Sequence, residues 1–206
     1  MMKFNISSQL NYMLIFGVAI GFFLIMLMIQ VSFSLEFNDY TSERYKISFR
    51  YPSHWNITEK TDMFANGTEI ELTNNNLSSW HHIFIYYDNN MGRAFGSWNL
   101  DTAVLNSYEE SLKDFMGNKY MSIESPKFMT IDEKRAGTYS YIYDDFEGEP
   151  NPWVTKVWVV FVADHSYDIS FGGPANTFDT HENKIIRDEF IKSIKFIDGN
   201  NKTKTK

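Results

Sequence analysis

The stretch "YKISFRYPSHW", Tyr45–Trp55, decides the fold. Tyr45, Ile47, Phe49 and Tyr51 fall on one side of an extended chain, and Lys46, Ser48 and Arg50 on the other. That period of two is expected of a strand with one buried face and one wet face. Pro52 has no amide hydrogen to give to a ladder, so the strand should end there, with Ser53 opening a turn. Trp55 then lies where it could fold back over the sheet edge, as a lid on the core rather than a platform for a ligand.

Outward from this stretch the same grammar repeats. Residues 36–44 form a polar lead with room for one brief edge strand. "TEIEL" (Thr68–Leu72) turns Ile70 and Leu72 inward, and "HIFIYY" (His82–Tyr87) is apolar on both faces, which calls for a central position. Leu100, Val104, Tyr108, Leu112 and Phe115 or Met116 recur at helical spacing, predicting a helix from Leu100 to about Met116. Asn99 or Asp101 can cap its start and Gly117 its end. "KFMTI" (Lys127–Ile131) and "TYSYIYDDF" read as strands, with Tyr139, Tyr141 and Tyr143 on one face. "PWVTKVWVVFVADHSYDISF" reads as two strands joined by a four-residue turn over Ala163–Ser166, the first of them mid-sheet. A last helix should run from an Asp179 or Thr180 cap to about Ile194, with Ile186, Phe190 and Ile194 in line. These elements make an α+β sandwich over residues 36–197, with seven or eight mostly antiparallel strands and two amphipathic helices. Residues 198–206 carry no apolar side chain and are expected to be disordered.

The N-terminal side is of another kind. Residues 1–12 form a short tail, and from Met13 to Ile29 no charged or strongly polar residue occurs; the run extends to Leu35 before Glu36 ends it. About 20 apolar residues at ~1.5 Å each match the ~30 Å hydrocarbon core of a bilayer. A buried helix of a soluble protein would show a polar stripe, and this segment has none. Ser32 and Ser34 would permit cleavage after Ser34, but the run exceeds the length usual for a signal peptide, which favours an uncleaved transmembrane signal anchor over 13–35. Lys3 before the span and none but acidic charges just after it orient the domain outward. The cleaved alternative is a secreted ligand carrier.

All 26 acidic residues and 18 of the 19 basic ones lie past Leu35, so the outer domain carries a net charge of −8. Such a field repels phosphates, and nucleic acid is excluded as a partner. The chain has no cysteine, which removes disulfides, thiolate chemistry and lipoprotein anchoring.

The opening strand, the pair "GTYSYIYDDF" and "KVWVVFVADHSYDISFGGPANTF", and the closing helix "ENKIIRDEFIKSIKF" together resemble the PsbP-like family. Ile191, Ser193, Ile194 and Phe196 match the way that family's last helix ends. The resemblance covers roughly Tyr45 to Phe196. It implies a central antiparallel sheet between helices, shared by extrinsic photosystem subunits, a Ran-binding protein and many secreted prokaryotic proteins. The photosystem subunits attach to a membrane complex and tune its metal and chloride site. No catalytic residues come with the family, and its members bind different things.

The residues themselves assign no catalytic, cofactor or metal site. The five histidines, His54, His81, His82, His165 and His181, are scattered, and the adjacent His81 and His82 should point to opposite faces of a strand. No G-x-S-x-G elbow occurs, and "FGGPAN" lacks the Lys-Ser or Lys-Thr of a phosphate cradle. "DDFEGEPNPW" places Asp144, Asp145, Glu147 and Glu149 in one loop, enough oxygen for calcium but without the alternating order of an EF-hand. A solvated hairpin loop whose charges resist edge pairing accounts for it as well. Asn56, Asn66, Asn76 and Asn201 head glycosylation triplets beyond the span, and Asn5 heads one before it. The expectation is a membrane-anchored extracytoplasmic binding or accessory module, its partner another envelope or membrane protein. The alternative is a cell-envelope hydrolase whose site the sequence hides.

Overall fold

The computed structural model describes residues 35–61, 67–74, 81–88, 100–144, 151–163 and 165–197. The chain divides into two compact units, residues 1–35 and 36–206, and the described residues fall in the second, Leu35 aside. The 13–34 stretch, the tail from 198, and Asp145, Glu147, Glu149, Asn5, Asn66, Asn76 and Asn201 lie outside them. Among the described residues no helix is long and apolar enough to cross a membrane.

In chain order the elements are β1 (Phe37–Ser42), β2 (Ile47–Pro52), β3 (Trp55–Thr61), β4 (Gly67–Asn74), β5 (His82–Asp88) and α1 (Thr102–Met116). A 3-10 turn (Gly117–Lys119) leads into β6 (Tyr120–Ile131), β7 (Lys134–Tyr143), β8 (Trp153–Val162) and β9 (His165–Pro174). The short α2 (Ala175–Phe178), α3 (His181–Ser193) and β10 (Lys195–Phe196) close the domain. Strands β1-β2-β10 form a small sheet and β3-β4-β5-β9-β8-β7-β6 a large one, every ladder antiparallel.

The opening stretch therefore serves two sheets. Pro52 is the last residue of β2, whose partners are β1 and β10, and Trp55 is the first residue of β3, the edge strand of the large sheet. The expectation of seven or eight mostly antiparallel strands about a central sheet meets, among the described residues, a seven-stranded antiparallel sheet with a second sheet of three strands beside it. Trp55 is buried as expected, but as part of an edge strand rather than a lid folded over it; its ring stacks 6.4 Å from Phe171. Tyr45 is buried without being in the strand. It lies in the turn before β2, where Lys46 has a left-handed φ of 51°. The Tyr167 hydroxyl donates to the carbonyls of Tyr45 (2.9 Å) and Lys46 (3.1 Å), pinning that turn to the large sheet. Lys46 is likewise not a wet-face residue: its Nζ donates to His165 Nε2 at 2.8 Å.

One face of the large sheet, through Tyr139, Tyr141, Val157 and Val159, packs under α1 around Leu105. The other face carries Ile70, Leu72, Ile83, Ile85, Ile169 and Phe171, all at or near zero exposure. The small sheet and α3 cover it, with Tyr45 against Tyr87 (5.9 Å), Phe196 against Tyr167 (4.8 Å) and Arg187 over Phe171 (5.7 Å). This is the expected α+β arrangement with helices on both faces, and the small sheet is an addition to it.

The helix caps follow the sequence: Asp101 Oδ1 accepts from Val104 N (2.9 Å), Gly117 ends α1 at φ 61°, and Thr180 Oγ1 accepts from Asn183 N. The apolar stripe of α1 is rotated from its expected line. Leu105 is its buried residue, Val104, Tyr108, Leu112 and Met116 flank it half-buried, and Phe115 is 87% exposed. Gly137 explains the choice, since a Cβ there would overlap Leu105, with Cδ2 at 2.7 Å. β6 is longer than "KFMTI", because register shifts between Ser122 and Lys127 break the alternation that would have marked its first half. Val162 pairs with His165, so the β8–β9 turn has two residues, not four, with Ala163 at φ 55°.

Candidate functional site

A lateral row of polar side chains crosses three neighbouring strands near one edge of the face that α3 covers. Glu124 on β6 pairs with Ser140 on β7, which pairs with Lys156 on β8. In each strand the residue sits on the same face, so the three meet. Lys156 Nζ donates to Glu124 Oε2 at 2.7 Å, and Ser140 Oγ donates to the same oxygen at 2.9 Å. Lys127 Nζ reaches the other oxygen at 3.4 Å. The Lys156 hydrogen bond outweighs the opposing effect of burial, and with Ser140 it holds the Glu124 carboxyl down to about 2.

This row forms one wall of a cleft of about 210 Å³ whose apolar lining includes Ile123, Val154 and Phe178. Opposite stands Arg187 of α3, only 12% exposed, paired to Asp179 at 3.2 Å with its guanidinium 4.8 Å from the Phe178 ring centroid. Its Nη1 is buried without a hydrogen-bond partner and lies against aromatic faces, a setting that suits a cation. A nucleophilic role for Ser140 needs a base. Its neighbour is a carboxylate too acidic to take a proton at neutral pH, and the adjacent lysine donates to that same carboxylate. The cleft can recognise charge and shape, and it is poorly set up to activate a hydroxyl.

Two other clefts are lined by charged and polar side chains. A half-open groove of about 590 Å³ runs between the small sheet and the end of α3, past Asp39, Arg50, Glu189, Lys192 and Lys195. A hollow of about 250 Å³ lies at the start of α3, beside His54, Asn74, Thr180 and Asn183.

The histidines do not converge. His54 and His181 are exposed, and the buried three are structural. His82 pairs with Gly172, and His81 lies against Gly173; a Cβ on either glycine would strike the imidazole beside it. The two rings thus lie on opposite faces of β9, as the alternation requires, and the glycine pair in "FGGPAN" makes room for them rather than for a phosphate. Asn183 Nδ2 donates to His81 Nε2 at 2.9 Å. Burial, and secondarily His81, push the His82 imidazole down to about 3. Among the described residues no three His, Asp or Glu side chains gather as metal ligands. Of the acidic loop only Asp144 is described, exposed, its amide donating to Lys119 O at 3.2 Å. Asn56 and Thr58 of the first glycosylation triplet are both exposed on edge strand β3.

On the sheet face under α1, Asp168 of β9 sits between Tyr86 and Val159. Its Oδ1 is sealed from solvent and has no hydrogen-bond partner, and burial, reinforced by Asp88, raises its carboxyl to about 7. The sequence carries a signal for both features. Lys156 in "WVTKVWVVFV" and Asp168 in "HSYDISF" are lone charges inside otherwise uncharged strands, where a charge needs a partner or a function.

No protein-family model matches the chain, and no curated protein does. Solved structures do. The solution structure of cyanobacterial PsbP (CyanoP) from Synechocystis sp. PCC 6803 superposes with a TM-score of 0.57 at 10% identity, over 79% of this chain and 93% of that one. A Bacteroides thetaiotaomicron VPI-5482 protein matches at 0.48 and 16% identity, over 77% of this chain and 47% of its own. A Pseudomonas aeruginosa protein of unknown function matches at 0.42 and 10%, over 74% and 93%. The first of these, together with the sheet order and the flanking helices, identifies the fold of this chain as PsbP-like.

Proposed function

We propose that the chain is a membrane-anchored extracytoplasmic module that binds another envelope or membrane protein as an accessory subunit and carries out no catalysis. The observation that carries this reading is the charge-compensated row. Glu124 engages both Ser140 and Lys156, so the side chains that a hydrolase would use are committed to one another. The anchor rests on the uncharged 13–35 run and the outward orientation on the charge placement around it. The PsbP-like fold supports an accessory role by analogy alone.

Affinity capture of the tagged full chain from native membranes tests the reading. It should recover one envelope protein in stoichiometric amount, and the same preparation should turn over no ester, peptide or glycoside substrate. Turnover that disappears in Ser140→Ala would replace the module with the hydrolase.

A further inference from the structure

We infer that the cleft walled by Lys156 and Arg187 binds a carboxylate carried on one short, branched apolar group, whether a free acid or the last residue of a peptide chain. This binding goes beyond the accessory role proposed above and needs neither the anchor nor the partner. Lys156 and Arg187 are the cations of the cleft lining and Glu124 and Asp179 its carboxylates, but the two signs do not cancel. Glu124 is shared, with Lys156 donating to one of its oxygens and Lys127 to the other. Asp179 is 68% exposed and screened by water, whereas the Arg187 side chain is 12% exposed. Three cations thus meet two carboxylates here, in a domain of net charge −8. Such a local positive excess draws an anion.

The donors favour a carboxylate. An arginine fork can give two parallel hydrogen bonds to one carboxylate. Arg187 gives a single bond to Asp179, from Nη2 at 3.2 Å, and its buried Nη1 has no partner. Buried donors in folded proteins are nearly always paired, because an unpaired one is destabilising. The single bond to an exposed Asp179 lets the guanidinium swing its fork toward an acceptor in the cleft. Across from it, Lys156 Nζ carries three protons, of which the hydrogen bond to Glu124 uses one. A carboxylate between the two side chains would take donors from both.

The rest of the lining decides what the carboxylate is attached to. Ile123, Val154 and Phe178 are apolar, and inorganic phosphate or sulfate would leave them facing a hydrated ion. A volume of about 210 Å³ is smaller than the ~300–1,000 Å³ of sites for drug-sized ligands, which suits a group the size of one side chain. A free amino acid fits poorly. Both Glu124 oxygens are already engaged, by Lys156 and Ser140 on one and Lys127 on the other. An incoming ammonium would therefore face Lys156 and Arg187 without an acceptor of its own. The cleft should thus prefer a branched monocarboxylate to the matching amino acid.

Isocaproate titrated against the full chain in nonionic detergent tests this, with saturation-transfer NMR of its methyl groups as the readout. The acid should bind, and its amide and leucine should each bind about tenfold more weakly or worse, the order expected when a charge-assisted pair is lost. Arg187→Gln should weaken the acid to the same degree. Because that variant removes a buried side chain, Ala175→Glu serves as the second. Ala175 is exposed on the cleft lining, so the new carboxylate should repel the acid and leave the melting temperature unchanged. A short peptide ending in leucine with a free carboxylate distinguishes the two sources. If it displaces isocaproate at lower concentration than isocaproate itself requires, the occupant is a chain end; if not, it is a free acid. Acid and amide binding alike, Ala175→Glu binding like wild type, or no binding of either acid or peptide would overturn the assignment.

Discussion

Asp168 is the residue whose chemistry most clearly departs from its surroundings. It is a carboxyl with a sealed, unpartnered oxygen on a sheet face whose neighbours include Val159 and Tyr86. Folded, it keeps its proton up to about pH 7; at its ordinary value of 3.8 it would keep it only well below that. The stability it contributes is therefore complete below pH 3.8 and is lost as pH rises through 7. Asp168→Asn removes the titration without changing the shape. It should raise the melting temperature at pH 8 and leave it nearly unchanged at pH 4. The gain at pH 8 should be on the order of 1–3 kcal/mol, since each tenfold change in proton affinity is worth about 1.4 kcal/mol. Melts of the two proteins across that range check it, and parallel curves would mean the carboxyl is solvated. His82 works in the opposite direction. Depressed to about 3, it contributes stability above its ordinary 6.5 that is lost as pH falls toward 3, so the wild-type profile should have shoulders on both sides.

At the scale of elements, alternation and capping were legible and the relation between elements was not. Tyr45–Trp55 showed a strand, a stop and a buried tryptophan, but nothing in a period of two says which sheet a strand joins. Only the long-range pairing of β2 with β10 and of β3 with β4 separates the two sheets. β6 was half hidden because its bulges shift the pattern, and of the alternatives Phe115 or Met116 it is Met116 that packs on the core, beside a Leu105 that the stripe had left out. The Glu124–Ser140–Lys156 row joins residues 16 apart at each step, a coincidence of register that local sequence does not encode. The close approach of α1 to β7 gives a test of the packing. Gly137→Ala forces a methyl group against the fully buried Leu105 and should cost about 1–3 kcal/mol. Leu105→Ala alone should cost about 2–5 kcal/mol. In the double variant the added methyl meets open space, so the two losses should fall short of their sum by at least ~0.5 kcal/mol in denaturant titrations. Strict additivity would mean that the two residues do not touch.

At the scale of the whole molecule, a domain of PsbP-like fold, whose described residues form two sheets and two main helices, follows a 13–35 run that hydropathy reads as a signal anchor. The fold explains where charge is tolerated: Lys156 and Arg187 are balanced in a cleft, and Glu59, Lys60 and Glu71 stand at or next to the β3 edge. Under the proposed function the run would hold a domain of net charge −8 beside a membrane. That claim is tested most directly by protease added to intact cells, followed by mass spectrometry of the protein in carbonate-washed membranes. Full-length chain is expected in the washed membranes before digestion, with residues 36–197 lost to external protease and the peptide before Met13 protected. A soluble protein whose mature N-terminus is Leu35 would contradict it.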